Sequence, residues 1–160
     1  MKKIQDHYFK EARKQGYVAR SAFKLEEMDH KFRLLRRGQH VIDLGCAPGS
    51  WLQYASKKVL PEGILTGVDL KEVKIQFPEN VRIFQSDISM LEESILALSR
   101  FDLVLSDMAP DTTGIPSVDS QRSYDLNSQA LSFAQRHLKP GGTLVLKAFQ
   151  GEPLNRLTSE

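Results

Sequence analysis

The sequence predicts an α/β fold with a mostly parallel, doubly wound sheet, and two features of its pattern predict this. Short β-rich segments alternate with segments of helical periodicity along most of the 160 residues. Two β-rich segments, Leu103–Leu105 and Leu144–Leu146, are continuously apolar. Such segments are typical of strands buried on both faces of a parallel sheet whose crossover connections are helices. The length corresponds to a single domain.

Each element follows from the local pattern. Five strands, bounded by Gly, Pro, Asp or Asn, are expected at His40–Leu44, Ile64–Asp69, Val81–Gln85, Phe101–Ser106 and Thr143–Ala148. Helices are expected between them at Trp51–Leu60, Met90–Leu98 and Ser123–Leu138. A further helix precedes the first strand, with Ser21 as its expected N-cap. Its apolar face is formed by residues at helical spacing, namely Ala22, Leu25, Met28 and Phe32.

The basic residues are concentrated at the amino terminus. Residues 1–37 contain 11 Lys and Arg against 5 Asp and Glu, whereas the remainder contains 11 against 15. A basic arm on a mildly acidic body suits a protein that binds a phosphate backbone, although such a run is as often a solvated helix face. We therefore distinguish a basic arm and helix at 1–37 from the body at 38–160, both within one domain. The residues expected to contact such a backbone are Lys10, Arg13, Lys14, Arg20 and Lys24.

Composition excludes several classes of protein. With 41% hydrophobic and 26% charged residues and no long apolar run, the chain is neither disordered nor membrane-spanning. The single cysteine, Cys46, excludes an internal disulfide, and it has no zinc-ligand spacing with the four histidines. We expect a cytoplasmic protein that has no resident metal and no membrane partner.

A strand, a glycine-containing turn and a helix follow one another at Val41–Trp51. This arrangement predicts a ligand at the carboxyl end of the sheet, with Gly45 in the turn. Ala47 and Ser50 stand where a dinucleotide-binding turn has its second and third glycines, so a pyrophosphate site is poorly supported. Asp43 favours a cationic ligand instead, and S-adenosylmethionine carries an ammonium and a sulfonium.

Two more carboxylates follow the next two strands. Asp69 ends the second strand and is expected to accept both ribose hydroxyls of an adenosine. Asp87 follows the third strand and is expected to accept from the adenine amino group. Either residue alone is as readily a turn or capping residue, but three carboxylates at successive strand ends favour a binding site.

Five segments in this order resemble the FtsJ-type RNA ribose 2′-O-methyltransferases. They are Ser21–Leu25, Asp43–Trp51, Ser106–Pro110, Leu138–Gly142 and Leu146–Gly151. The resemblance extends from about Gly16 to Gly151. It implies a Rossmann-like class I methyltransferase with S-adenosylmethionine as cofactor. It further implies RNA as substrate, with a uridine of large-subunit ribosomal RNA as the first candidate and transfer RNA as the next.

The resemblance also implies site residues. The catalytic residues are expected at Lys24, Asp107 and Lys147, and the cofactor-binding residues at Gly49, Trp51, Asp69, Asp87 and Asp107. A ribose 2′-hydroxyl needs a base, and we expect it to be the neutral amine of Lys147, desolvated at its strand end and close to Lys24. Asp107 is expected to orient that amine and to meet the positive end of the cofactor.

The carboxyl terminus departs from the family pattern. The family's fourth catalytic residue is a glutamate on a later strand, and Glu152 and Glu160 follow the fifth strand too closely for that role. The domain is therefore expected to be short of its last two strands, which leaves an exposed edge for self-association. A second function stays open: a catalytically impaired RNA-binding or ribosome-assembly module.

Overall fold

The computed structural model describes residues 10–91 and 100–148. Its strands are β1 (His40–Leu44), β2 (Ile64–Asp69), β3 (Val81–Gln85), β4 (Phe101–Ser106) and β5 (Leu138–Leu146). They form one parallel sheet in the order β3-β2-β1-β4-β5. Because β1 lies in the middle and the chain crosses from β3 to β4, the predicted doubly wound α/β fold is confirmed.

Helices cover both faces of the sheet. They are α1 (Ala22–Phe32), α2 (Ser50–Val59) and α3 (Pro116–His137), with a short 3-10 turn at Ile88–Met90. Successive strand residues point to opposite faces. Val41 and Leu103 therefore pack into the core that contains α1 and α2, whereas Ile42 and Val104 pack with Phe133 of α3. None of the described helices is long and apolar enough to cross a membrane.

Four strands have the predicted bounds, and β5 differs. It begins at Leu138 rather than Thr143, because Leu138 pairs with Phe101 before an irregularity accommodates the intervening residues. Its last residue is Leu146 rather than Ala148. In the sequence, the Pro and Gly residues of this stretch indicate a turn, but the backbone remains part of the strand.

The helices differ from the prediction at their amino ends. α3 begins seven residues early, at Pro116, where proline is favoured in the first turn. Asp119 fixes this start, since it accepts from the backbone N–H of Thr113 at 2.7 Å and of Gly114 at 3.2 Å. The predicted helix at Met90–Leu98 lies largely outside the described residues, and Met90 itself closes the 3-10 turn.

Ser21 is not a side-chain N-cap of α1, so that prediction is wrong. Its backbone is already helical, with φ −62° and ψ −21°, and its side chain makes no capping bond. Instead, the Ser21 hydroxyl lies 2.7 Å from the Ser50 hydroxyl at the start of α2. The Trp51 indole N–H donates to the Ser21 carbonyl at 2.8 Å. Ser21 thus joins the first turns of α1 and α2.

The far end of α1 is also tied to α2. Buried Asp29 accepts from the Leu35 backbone N–H at 2.8 Å and from the Tyr54 hydroxyl at 2.9 Å. Before α1, the Gln53 side chain accepts from the Val18 N–H and donates to the Gly16 carbonyl. Residues 16–35 are therefore docked on α2 by polar bonds at both ends.

The amino end of the sheet has its own polar junction. Asp102 of β4 accepts from the His40 N–H at 2.8 Å and forms an ion pair with Lys139 of β5 at 2.9 Å. Although partial burial opposes it, these bonds lower the pKa of Asp102. β5 is one edge of the described sheet. Self-association through that edge stays a prediction, and the position of any further strands lies outside the described residues.

We predict that Asp29→Ala destabilises the protein, because it leaves two buried donors without an acceptor. Each unpaired donor costs about 1–3 kcal/mol. Urea denaturation should show a lower unfolding free energy for this variant. Asp125→Ala on the exposed face of α3 is the matched control, and equal losses in the two variants would contradict the assigned role of Asp29.

Candidate active site

Two cavities lie at the carboxyl end of the sheet. The first, of about 440 Å³, is formed by the turns after β1 to β4, and we call it the sheet cavity. Its lining includes Gly45, Ala47, Asp69, Asp87, Ile88, Asp107 and Met108. The second, of about 370 Å³, lies beside α1, and we call it the α1 cavity. Its lining includes Lys24, Glu27, Met28, Lys31, Phe32, Trp51, Asp107 and Lys147. Asp107 lines both cavities.

The turn after β1 approaches the turn after β4 very closely. Gly45 has φ +79°, in the left-handed region that glycine adopts without strain. A Cβ at this position would lie 2.5 Å from Cγ of Met108. The Gly45 and Cys46 N–H groups both donate to the Val68 carbonyl, at 2.8 and 3.1 Å. Only glycine therefore permits the backbone path that opens the sheet cavity.

Two carboxylates in the sheet cavity are held by backbone N–H groups. Asp69 accepts from Ala47 through Oδ2 and from Lys71 through Oδ1, each at 2.8 Å. Asp87 Oδ1 accepts from the Ser89 N–H and hydroxyl at 2.8 and 2.7 Å, and these bonds lower the pKa of Asp87. A carboxylate oxygen can accept more than one hydrogen bond. Asp69 and Asp87 can therefore still accept hydrogen bonds from a ligand in the sheet cavity.

Asp43 is buried without a partner. It is 1% exposed, and neither of its carboxylate oxygens accepts a hydrogen bond within the described residues. Burial raises its pKa well above the usual range, and the negative charges of Asp107 and Asp69 raise it further. A buried carboxylate beside two others lacks a compensating positive charge, which a cationic ligand in the cavity would supply. The described residues contain no cluster arranged as metal ligands.

Lys147 and Asp107 are in direct contact. The Lys147 Nζ donates to the Asp107 carboxylate and, at 3.1 Å, to the Asp107 main-chain oxygen. The N–H of Lys147 donates to the Ser106 carbonyl at 2.9 Å, which continues the β4–β5 ladder by one residue. The Lys147 side chain is 30% exposed, so it is less desolvated than expected. Lys24 lines the same cavity from an exposed position on α1.

The structure brings most of the predicted site residues together. Gly45, Asp69, Asp87 and Asp107 share the sheet cavity, and Lys24, Asp107 and Lys147 share the α1 cavity. Asp43 is within electrostatic range of the sheet cavity's carboxylates although it does not line the cavity.

Two predicted cofactor residues lie elsewhere. Trp51 lines the α1 cavity rather than the sheet cavity. Gly49 begins α2 with φ +105°, and a Cβ there would lie 2.8 Å from Ile75 in the loop after β2. Their binding roles stay predictions. The predicted RNA contacts before α1, which are Lys10, Arg13, Lys14 and Arg20, are all exposed.

Sequence reasoning missed two residues of the site. Met108 packs against Gly45, and no pattern in the sequence indicates this. Phe32 was expected on the buried face of α1, but it is 60% exposed and lines the α1 cavity. Its position could have indicated this exposure, because Phe32 is the last residue of the helix and lies between Lys31 and Arg33.

Comparison with known proteins adds three findings. The family model described as FtsJ-like methyltransferase matches residues 17–160. A protein of Syntrophobacter fumaroxidans named ribosomal RNA large subunit methyltransferase E is 46% identical over 151 residues, covering 92% of this chain and 77% of the relative. A protein of the same name from Desulfatibacillum aliphaticivorans is 51% identical over 150 residues, covering 92% and 72%.

Solved structures agree. A ribosomal RNA methyltransferase from Plasmodium falciparum superposes with a TM-score of 0.79 at 28% identity, over 89% of this chain and 84% of that chain. A methyltransferase of the mycinamycin biosynthetic pathway, solved with Mg and SAH, gives a TM-score of 0.59 at 21% identity, over 86% and 35%. The latter likeness shows the fold alone.

We predict that Asp43→Asn stabilises the ligand-free protein at neutral pH. Because the pKa of Asp43 is raised on folding, its contribution to stability is full below the unfolded pKa and is lost as pH rises through the folded pKa. The melting temperature of the variant should therefore exceed that of the parent near neutral pH, and the difference should shrink as the pH falls toward about 4.

Asp102→Asn is the control of opposite sign. The pKa of Asp102 is lowered, so its contribution is present above the unfolded pKa and is lost in acid. That variant should melt below the parent at neutral pH. An Asp43→Asn protein that is less stable than the parent at pH 8 would show that Asp43 has an unseen partner.

Proposed function

The chain belongs to the FtsJ-like methyltransferase family, and on this premise we propose that it methylates a ribose 2′-hydroxyl of large-subunit ribosomal RNA. The proposed methyl donor is S-adenosylmethionine, and the proposed target nucleotide is a uridine. The name of the relatives, ribosomal RNA large subunit methyltransferase E, supports the RNA substrate, and the resemblance to ribose 2′-O-methyltransferases supports the 2′-hydroxyl as the methylated position. A ribosomal RNA substrate also implies action in the cytoplasm.

One observation carries the proposal: Asp107 lines both cavities and binds Lys147, which lines the α1 cavity. Methyl transfer needs two sites that meet at one point, since the donor and the acceptor must be in contact during the reaction. The sheet cavity is acidic and suits a cationic donor. The α1 cavity is lined by three lysines and by Glu27 and Asp107. Because Lys147 is paired with Asp107, the exposed Lys24 and Lys31 of α1 are the groups that would contact a polyanion.

The sheet cavity fits S-adenosylmethionine. Asp69 would hold the ribose hydroxyls and Asp87 the adenine amino group, because both keep free acceptor capacity there. The unpartnered Asp43 and the adjacent Asp107 would compensate the positive charges of the methionine end. When bound, the cofactor supplies a methyl group on an electrophilic sulfonium, and everything else is supplied by the protein.

The protein's part is to place the hydroxyl and to accept its proton. In this proposal, Lys147 reacts as the neutral amine: its Nζ donates its two N–H groups to Asp107, and its lone pair accepts the proton of the 2′-hydroxyl as the oxygen attacks. Asp107 fixes the Nζ position with two contacts, which keep the amine beside a residue that lines both cavities. Lys24 binds the RNA strand from the α1 side of the cavity.

Transfer of tritiated methyl groups to ribosomal particles, free ribosomal RNA and transfer RNA tests the proposal. We expect incorporation into large-subunit RNA, with the label recovered in a dinucleotide that resists alkaline hydrolysis because its 2′-oxygen is blocked. Label on a base would contradict ribose methylation. Preferred labelling of transfer RNA would change the substrate, and RNA binding without labelling would favour the impaired module.

We predict that Lys147→Ala slows methyl transfer by about 10²–10⁴-fold, which is the usual loss when a general base is removed. Affinity for S-adenosylhomocysteine, measured by calorimetry, should change little because Lys147 does not line the sheet cavity. Lys139→Ala is the control. It removes a lysine of β5 that is paired with Asp102 at the other end of the sheet. Equal rates in the two variants would place the base elsewhere.

We predict that replacing Lys10, Arg13 and Lys14 together weakens RNA binding and its salt dependence. The slope of log affinity against log salt should become shallower by up to about 0.7–0.9 per lost phosphate contact. Arg136→Ala, at the exposed end of α3, is the control and should leave the slope unchanged. An unchanged slope in the triple variant would mean that residues 10–14 are only a solvated helical surface.

A further inference from the structure

The α1 cavity includes an aromatic residue that has no part in the proposed methyl transfer. Its outer wall is Phe32, the last residue of α1, whose aromatic ring is 60% exposed. An exposed phenylalanine is unusual, because burying such a side chain contributes about 1.5–3 kcal/mol. The ammonium of Lys31 lies over the ring. The ring therefore presents a planar apolar surface beside the proposed catalytic lysine.

Helical spacing sets where the ring stands relative to Lys24. Lys24, Met28 and Phe32 are separated by four residues each and lie on the same side of α1, and all three line the cavity. The rise is about 6 Å from Lys24 to Met28 and about 12 Å from Lys24 to Phe32. Phe32 is therefore displaced from Lys24 by about two helical turns along α1, a separation that suits a neighbouring nucleotide rather than the base of the nucleotide at Lys24.

The polar groups around the ring suit a nucleotide rather than a hydrocarbon. The Nζ of Lys31 lies 5.1 Å from the centre of the Phe32 ring. A phosphate next to a base stacked on the ring would lie close to the positive charge of Lys31. The helix itself is rigidly placed, since its two ends are bonded to α2 through Ser21 and Asp29. The platform is thus preorganised with respect to the catalytic residues.

We propose that Phe32 stacks on the base of the nucleotide next to the methylated one and so holds the RNA strand open across the α1 cavity. Met28 contacts the target nucleotide itself, and Lys31 contacts the phosphate beside the stacked base. This inference rests on the proposed function for the identity of the RNA strand. Aromatic stacking accepts any base, so Phe32 contributes affinity and register rather than base identity.

A double-mutant cycle tests the contact directly. Once the methylated nucleotide has been mapped, four single-stranded oligonucleotides are prepared: the parent and three with one abasic site, at the target or at either neighbour. Filter binding measures the affinity of each for the parent protein, Phe32→Ala, Phe32→Leu and Phe32→Tyr. Phe32→Ala should weaken binding of the parent oligonucleotide about 5- to 150-fold, and Phe32→Tyr should restore most of it.

The coupling decides the proposal. If the ring stacks on a neighbouring base, removing that base should weaken binding to the parent protein but cause almost no further loss in Phe32→Ala. Additive losses for both neighbours would overturn the proposal, and coupling to the target's own base would overturn the assigned register. Phe32→Leu keeps an apolar side chain without a planar ring. Parental affinity in that variant would show that burial of an apolar side chain, and not stacking, accounts for the contact.

Two further measurements separate this inference from the proposed function. Met90→Ala truncates a residue that is 74% exposed and follows β3 at the opposite edge of the sheet, and it should bind RNA like the parent. In methyl transfer, Phe32→Ala should raise KM for RNA more than it lowers kcat. If the parent methylates RNA and Phe32→Ala only loses thermal stability, the ring serves internal packing and the function stands. If no RNA is methylated, the cycle is run around the strongest-bound site of the RNA, where additive losses still overturn the stacking contact.

Discussion

Parallel pairing around a central strand is the constraint on which the rest of the structure depends. β1 is in register with β2 and β4, so that Asp43 lies opposite Gly67 and Leu44 lies opposite Ser106. Because every strand runs the same way, the turns that follow them meet at one edge. Residues that are 60 or more positions apart in the chain thereby share one cavity. No single loop contains the sheet cavity, and the parallel sheet assembles it.

The second level of organisation is the junction of α1 with α2. α2 begins directly after the turn that lines the sheet cavity, and α1 is bonded to its first and second turns. The helix that presents Lys24 is thus attached to the helix that shapes the donor side, rather than to the sheet edge. Asp107 completes the arrangement from the opposite side, where it faces both cavities and holds Lys147. The two cavities are therefore fixed relative to each other by a few polar bonds.

Much of this could be predicted from the sequence, for physical reasons. Four strands were predictable at their observed bounds because each is rich in β-branched, aliphatic or aromatic residues and is bounded by turn residues. The grouping of the carboxylates that follow the strands was predictable, because the carboxyl ends of parallel strands lie at one edge of the sheet. β5 was not fully predictable, since Pro140 and two glycines look like a turn although the pairing with β4 continues past them.

Other details depend on contacts between distant residues, which local pattern does not contain. The Ser21 side chain pairs with Ser50 rather than with its own helix, and Trp51 faces the α1 cavity. Phe32 has the spacing of a core residue but is the last residue of α1 and is exposed. The pairing of Lys147 with Asp107 likewise depends on the closeness of β4 and β5. In each case the tertiary environment, and not the residue's own preference, decides its role.

Trp51 gives the protein an internal optical reporter. It is the only tryptophan in the chain, its side chain is almost fully buried, and its indole N–H is bonded to the Ser21 carbonyl. Indole emission shifts to longer wavelength when water reaches the ring, so the ultraviolet emission of the unlabelled protein reports on a single place, the seam between α1 and α2. A separation of the two helices would be visible as a red shift without any added dye, whereas unfolding of the distant strand edges alone would leave the spectrum in place.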